Sequence, residues 1–223
     1  MALLDQWPLY GIRVRTPRLE LRVPDDELGV EMGELAAKGV HDPALMPFLY
    51  PWTDAPAAEI PRNSLQHYWL MRAELRPESW NLSLCVLVDG SVVGGGGLVG
   101  KDFAVVRGFE TGSWLGREFQ GQGLGKELRQ ACLHLGFAGL GGAFAVTGAF
   151  ADNGASLAVT RGLGYEPNGE ETVLRRGEAA RLLHFRMPRP HWEANLRRDD
   201  IDLEGVDACL ALLGATTSEE SSA

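Results

Sequence analysis

The stretch that decides the fold is ETGSWLGREFQGQGLGK, Glu110 to Lys126. Its first part continues a strand pattern that starts at Phe109 and runs to Leu115. The end leads into a helix pattern from Leu124 to Ala138, with Leu124, Leu128, Ala131 and Leu135 on one apolar face. Between them lies Gln120-Gly121-Gln122-Gly123-Leu124-Gly125-Lys126. Glycines at alternate positions let the chain turn tightly and turn backbone N–H groups into one concavity. The free amides and positive end of the following helix then attract an anion such as pyrophosphate. Two other phosphate patterns fail here. The P-loop needs Gly where Gln120 stands and Ser or Thr where Glu127 stands, and the dinucleotide pattern GxGxxG, counted from Gly121, meets Lys126.

Around this segment the order of elements is that of an α/β chain. Alternation over Arg18–Val23 predicts a strand, and Pro24-Asp25-Asp26 starts a helix that Gly39 ends. Residues 39–54, GVHDPALMPFLYPWTD, form a loop rich in large apolar side chains, and a second helix is expected from Ala57 to Leu75. Leu82–Val88, the turn Asp89-Gly90 and Ser91–Val93 read as a hairpin. The run Gly94–Gly97 marks a bulge or a close approach of other groups to the backbone. A strand over Ala143–Phe150, a helix over Asn153–Leu163 and strands from Tyr165 and over Leu182–Met187 complete the order. Hairpins early and one strand–helix–strand unit late predict a mixed, largely antiparallel sheet flanked by helices.

Composition narrows the function. The 223 residues carry a net charge of -9, which repels nucleic acid, and no stretch is apolar enough to span a membrane. The N-terminal run lacks the apolar core of a signal peptide. Cys85, Cys132 and Cys209 lie far apart among apolar neighbours and read as free buried thiols. A cytoplasmic protein without a metal centre is expected.

Gln120-x-x-Gly123-x-Gly125, Asn153-Gly154-Ala155-Ser156 and Leu163-Gly164-Tyr165, in that order, resemble the GNAT acyltransferases over residues 17–188. Glu110-x-Gly112-x-Trp114-Leu115 resembles the strand of the RimJ/RimL branch. The segments GVHDP, MPF and PWT, together with SWLG, are similar to an actinobacterial subgroup of the family that includes a succinyl-CoA-using member. The resemblance implies a GNAT-like fold over 17–188, with residues 1–16 as an N-terminal extension, 189–214 as a helical extension and 215–223 as a disordered tail. It implies transfer of an acetyl or succinyl group from acetyl-CoA or succinyl-CoA to a primary amine of a protein or small molecule, by direct attack. The rival reading is a module that binds or senses acyl-CoA without catalysis.

The resemblance also implies roles. Gln120, Gly121, Gln122, Gly123, Leu124, Gly125 and Lys126 would hold the pyrophosphate, and Leu115 and Asn153 the pantetheine arm. Glu110 would act as general base through water, because an amine must lose a proton before it attacks. Ser156 would put a hydroxyl near the thioester sulfur, able to protonate the departing thiolate; four residues further on, where the family often has Tyr for that job, this chain departs with Thr160, which leaves the identity of the acid open. Asn153 also reads as a helix cap, and Lys126, Arg129 and Arg161 as solvated helix residues or phosphate contacts. For a succinyl carboxylate, the Gly94–Gly97 run would leave space, with His41 or Arg72 as the charged partner. The apolar 39–54 loop and Val206–Leu213 suggest self-association.

Overall fold

A computed structural model describes residues 2–216. Of the expected tail, residues 217–223 lie outside the described residues. Nine strands among the described residues form one sheet in the order β7-β8-β6-β5-β4-β3-β2-β1-β9. They are β1 Arg13–Arg15, β2 Glu20–Arg22, β3 Ser79–Val88, β4 Ser91–Lys101, β5 Gly108–Leu115, β6 Phe144–Phe150, β7 Glu166–Arg175, β8 Glu178–Pro188 and β9 Asp202–Glu204. All neighbours are antiparallel except β5 and β6. The expected mixed, largely antiparallel sheet flanked by helices is therefore the observed one.

Local signals explain most boundaries. Asp89 and Gly90 both take positive φ, as a two-residue hairpin between Val88 and Ser91 requires. The helices are α1 Leu3–Gln6, α2 Asp26–Lys38, α3 Ile60–Glu74, α4 Phe103–Val106, α5 Leu124–His134, α6 Gly154–Gly162 and α7 Arg189–Asn195. Asp25 caps α2 by accepting from the Leu28 N–H, and α3 starts at Ile60 with Pro61 in its first turn. Beyond His134 the chain continues as a π-turn over Leu135–Gly139.

The sheet is longer than the alternation in the sequence predicts. β1 lies within residues 1–16 and pairs on one side with β2 and on the other with β9, from the C-terminal segment. Residues 189–214 thus hold a helix, an edge strand and a short 3-10 turn at Asp207–Cys209 rather than helix alone. Val206, Cys209 and Leu213 are buried in the main core. This removes the Val206–Leu213 stretch as a sticky surface.

The Gly94–Gly97 run is a place of close approach, but it does not leave space. A Cβ on Gly94 would stand 2.3 Å from the Trp114 carbonyl oxygen, and one on Gly95 2.8 Å from Met32 Cε of α2. On the other face, a Cβ on Gly96 would lie 3.0 Å from Leu128 Cδ1 and 3.3 Å from Cys132 Sγ of α5. The missing side chains allow both helices to close onto the sheet. The β4 irregularity sits just before this run, where the register slips between Val86 and Leu87.

Candidate active site

The parallel pairing of β5 with β6 covers three rungs only, Gly108–Glu110 against Phe144–Val146. Beyond Glu110 the strands part. The other edge of β5 stays paired with β4 as far as Leu115. On the edge facing β6, the Thr111 carbonyl accepts from Thr147 Oγ1 at 3.0 Å and the Leu115 carbonyl from Gln120 Nε2 at 2.9 Å. Strand alternation turns Ser113 N–H, Ser113 C=O and Leu115 N–H to this same side, where no strand pairs with them. From Thr111 to Leu115 this open edge is roughly 13 Å long at ~3.3 Å per residue. It offers an extended ligand the backbone groups that a neighbouring strand would otherwise take.

The glycine loop lies at the far end of that edge. Gly121 and Gly123 have φ of +74° and +78°, and Gly123 is the residue before the first turn of α5. A Cβ on Gly121 would meet nothing within 4 Å, and one on Gly123 only Arg18 Nη2 at 3.6 Å. The backbone N–H groups of Leu124, Gly125 and Lys126 have no intrahelical partner there, and such free amides at a helix N-terminus favour negative charge. Lys126 is exposed beside it. Gln120, though exposed, ties the loop to its surroundings: its Nε2 donates to Val40 O at 2.6 Å as well as to Leu115 O. Gln122 Nε2 donates to Glu118 O at 2.9 Å. Arg18, which sequence reasoning missed, braces the loop from behind through Gln122 O at 3.0 Å and the buried Glu127 Oε2 at 2.6 Å. Thr16 Oγ1 also donates to Glu127, and these bonds hold its carboxyl below the ordinary range despite the desolvation that opposes them. Asn153 caps α6 by accepting from the Ser156 N–H at 3.1 Å.

The two faces of the fork differ. On one face stand Glu110, Gly112 and Trp114. A Cβ on Gly112 would meet nothing, so the floor here is bare backbone. Register puts His184 of β8 opposite Gly148 and Arg186 opposite Val146, the partner of Glu110. The His184 ring leans over Gly148, 3.8 Å from where its Cβ would be, and Nε2 contacts Glu171 Oε1 at 3.0 Å. Glu110 is solvent-exposed, yet partial desolvation raises its carboxyl above the usual range, against the opposing pull of His184 and Arg129. His41, Phe48, Trp52 and Trp114 form an aromatic chain with successive centroids 5.6, 5.2 and 5.7 Å apart. His41 is held by Asp42 O and Thr53 Oγ1, the bonds of a packed loop histidine. Arg175 reaches Met46 O and Asp152, and Arg176 reaches Pro43 O and Asp54, pinning the 39–54 loop to the β7–β8 hairpin. Arg72 is elsewhere, paired with Asp26 and Tyr10, so it is no partner for a ligand in the fork.

On the α5 face stand Thr111 and Ser113. Arg129 does not lie on the solvated side of α5, as helix position suggested. It is 4 % exposed and donates to Thr147 Oγ1 at 3.0 Å, Thr111 Oγ1 at 3.3 Å and Ser113 Oγ at 3.3 Å. Tyr165 OH stands 3.1 Å from Thr111 Oγ1. Thr160 is fully buried with an unpartnered hydroxyl, while Ser156 is half-buried. No group of three or more His, Cys, Asp or Glu among the described residues is placed to hold a metal ion. Nor is any helix among them long and apolar enough to cross a membrane.

Residues 18–166 match the sequence profile of the family described as "Acetyltransferase (GNAT) domain". Solved structures share the fold at low identity. One is RimL, a ribosomal L7/L12 alpha-N-protein acetyltransferase in complex with coenzyme A: TM-score 0.58, 18% identity, 78% of this chain and 95% of that one. Another is the ribosomal-protein-S5-alanine acetyltransferase from Vibrio fischeri: TM-score 0.62, 13% identity, 83% and 99%. A third is an acetyltransferase of the GNAT family from Bacillus anthracis: TM-score 0.60, 14% identity, 80% and 99%.

The loop geometry gives a direct test. Gly123→Val puts a β-branched side chain at φ +78°, a conformation it resists, and disturbs the amides next to it. Coenzyme A affinity by calorimetry should fall at least tenfold, about 1.4 kcal/mol. Unchanged affinity would place the anion elsewhere.

Proposed function

Because this chain belongs to the GNAT acetyltransferase family, we propose that it carries an acetyl or succinyl group from coenzyme A to a primary amine at the fork between β5 and β6. The observation that carries this reading is the open β5 edge with the glycine loop at its end. The pyrophosphate would sit on the Gly121–Gly125 amides. The two amides of the pantetheine arm would pair along Ser113 and Leu115, bringing the thioester toward Thr111. Asn153 and Ser156, at the start of α6, are proposed to border the arm. The amine would enter from the Glu110 face. Its lone pair attacks the thioester carbonyl carbon while a backbone N–H of the edge holds the oxyanion. Collapse of that intermediate breaks the C–S bond.

Glu110 is proposed to take the amine's proton through water. A base must be deprotonated, and this carboxyl sits above the usual range. The rate should therefore fall with falling pH through a midpoint above that of an ordinary carboxylate. Glu110→Gln should remove that acid limb and lower kcat by about 10²–10⁴. A pH profile unaltered by the substitution would assign the base elsewhere.

Donor choice rests on the resemblance of GVHDP, MPF and PWT, because the Gly94–Gly97 space and Arg72 no longer support a succinyl pocket. We expect release of free thiol from acetyl-CoA or succinyl-CoA with an amine panel, and succinyl-CoA to compete at least as well. Clear acetyl preference without succinyl turnover would remove the succinyl assignment. Binding without thiol release from either donor would instead make the chain a sensing module.

Self-association, and a cytoplasmic setting, belong to the same proposal. Leu45, Leu49 and Tyr50 stay exposed on the 39–54 loop. Light scattering at micromolar concentration should give a mass above 24.2 kDa, and a mass at that value would count against association.

A further inference from the structure

Arg129 is the group that the reading above does not use and the fold does not explain. It is 4 % exposed, forms no ion pair among the described residues and gives its hydrogen bonds to Thr111, Ser113 and Thr147, all neutral hydroxyls. Its Nε has no partner. A buried guanidinium without a counter-ion is costly. A neutral amide would bridge the same hydroxyls without that cost, so a merely structural strut does not account for it. The position is specific as well: Thr111 and Thr147 are the first residues past the last paired rung, Glu110 with Val146. A donor arm laid along β5 from the glycine loop ends there.

We propose that Arg129 stabilises the negative charge that collects on the coenzyme A sulfur as the thioester breaks. The inference rests on the donor lying in the fork. As the tetrahedral intermediate collapses, the carbonyl re-forms, the C–S bond breaks and its electron pair leaves on sulfur. The new C–N bond is already made, and the amine's proton passes to Glu110 and water. Of the hydroxyls, that of Thr160 is sealed in the core, burial pushes the Tyr165 phenol above its ordinary range, and an aliphatic alcohol such as Ser156 is a weak acid. A guanidinium keeps its proton, so Arg129 acts by charge alone, and in a site of low dielectric that charge is strong. The groups that feel it are Glu110 from the opposite face and Tyr165 and Cys132 on its own side.

The test is the titration of the thiol of bound coenzyme A, followed by thiolate absorbance. The protein's own thiols stay silent, because burial pushes Cys85 up to about 12 and Cys132 and Cys209 up to about 11. In the unaltered protein the bound thiol should titrate at least ~1 unit below free coenzyme A. Arg129→Lys should keep much of that shift, and Arg129→Met should lose it while still binding coenzyme A in calorimetry. A bound thiol that titrates like the free one, or equally in the unaltered protein and Arg129→Met, overturns the proposal. The first result needs no variant, so the proposal can fail even if Arg129→Met does not fold. Absence of coenzyme A binding to the unaltered protein would strike the donor-site reading instead.

Discussion

Strand pairing that stops after three rungs is the constraint on which the rest of this structure depends. β5 and β6 are joined at Gly108–Glu110 and separated beyond. Two adjacent parallel strands would ordinarily satisfy each other's backbone along their length. Here the Thr147 hydroxyl takes the Thr111 carbonyl and the Gln120 amide takes that of Leu115. The edge between them is left with polar groups turned toward an opening. That opening is held from both ends, by the Arg129–hydroxyl cluster at the fork and by the Gln120 and Arg18 braces at the loop.

Pressing helices onto both faces fixes the fork in place. Met32 of α2 and Leu128 of α5 lie against consecutive glycines of β4, the strand that supports β5 from its other edge. The result is chemical asymmetry. One face exposes Glu110 and the bare floor at Gly112 and carries Trp114, the end of an aromatic chain through Trp52 to Phe48. The other buries a cation among hydroxyls. An amine losing a proton suits the first, and a sulfur gaining charge suits the second.

Much of this was legible because it is local. The Asp89-Gly90 turn, the Asp25 cap, the Gly121–Gly125 loop with its helix and the Asn153 cap each follow from a few adjacent residues. The short strands β1 and β9 were not, since three-residue strands carry no periodicity and their pairing joins the two ends of the chain. Gly94–Gly97 did mark close approach, but the approaching atoms belong to the protein. Arg129 was misplaced because one charged residue on an amphipathic helix is usually solvated. Its neighbours at i+3 and i+4, Cys132 and Leu133, are both buried, and that second apolar flank was the available signal. The ring of His184 over Gly148 depends on the β6–β8 register, which no local pattern encodes.

The central claim is that the open edge of β5 is the donor's seat. Residue-resolved amide hydrogen exchange with and without coenzyme A tests it most directly. The account predicts new protection at Ser113 and Leu115 together with the amides of 121–126, and little change along the β3–β4 hairpin. Protection confined to other surfaces, with exchange at Ser113 and Leu115 unaltered at saturating coenzyme A, would contradict it.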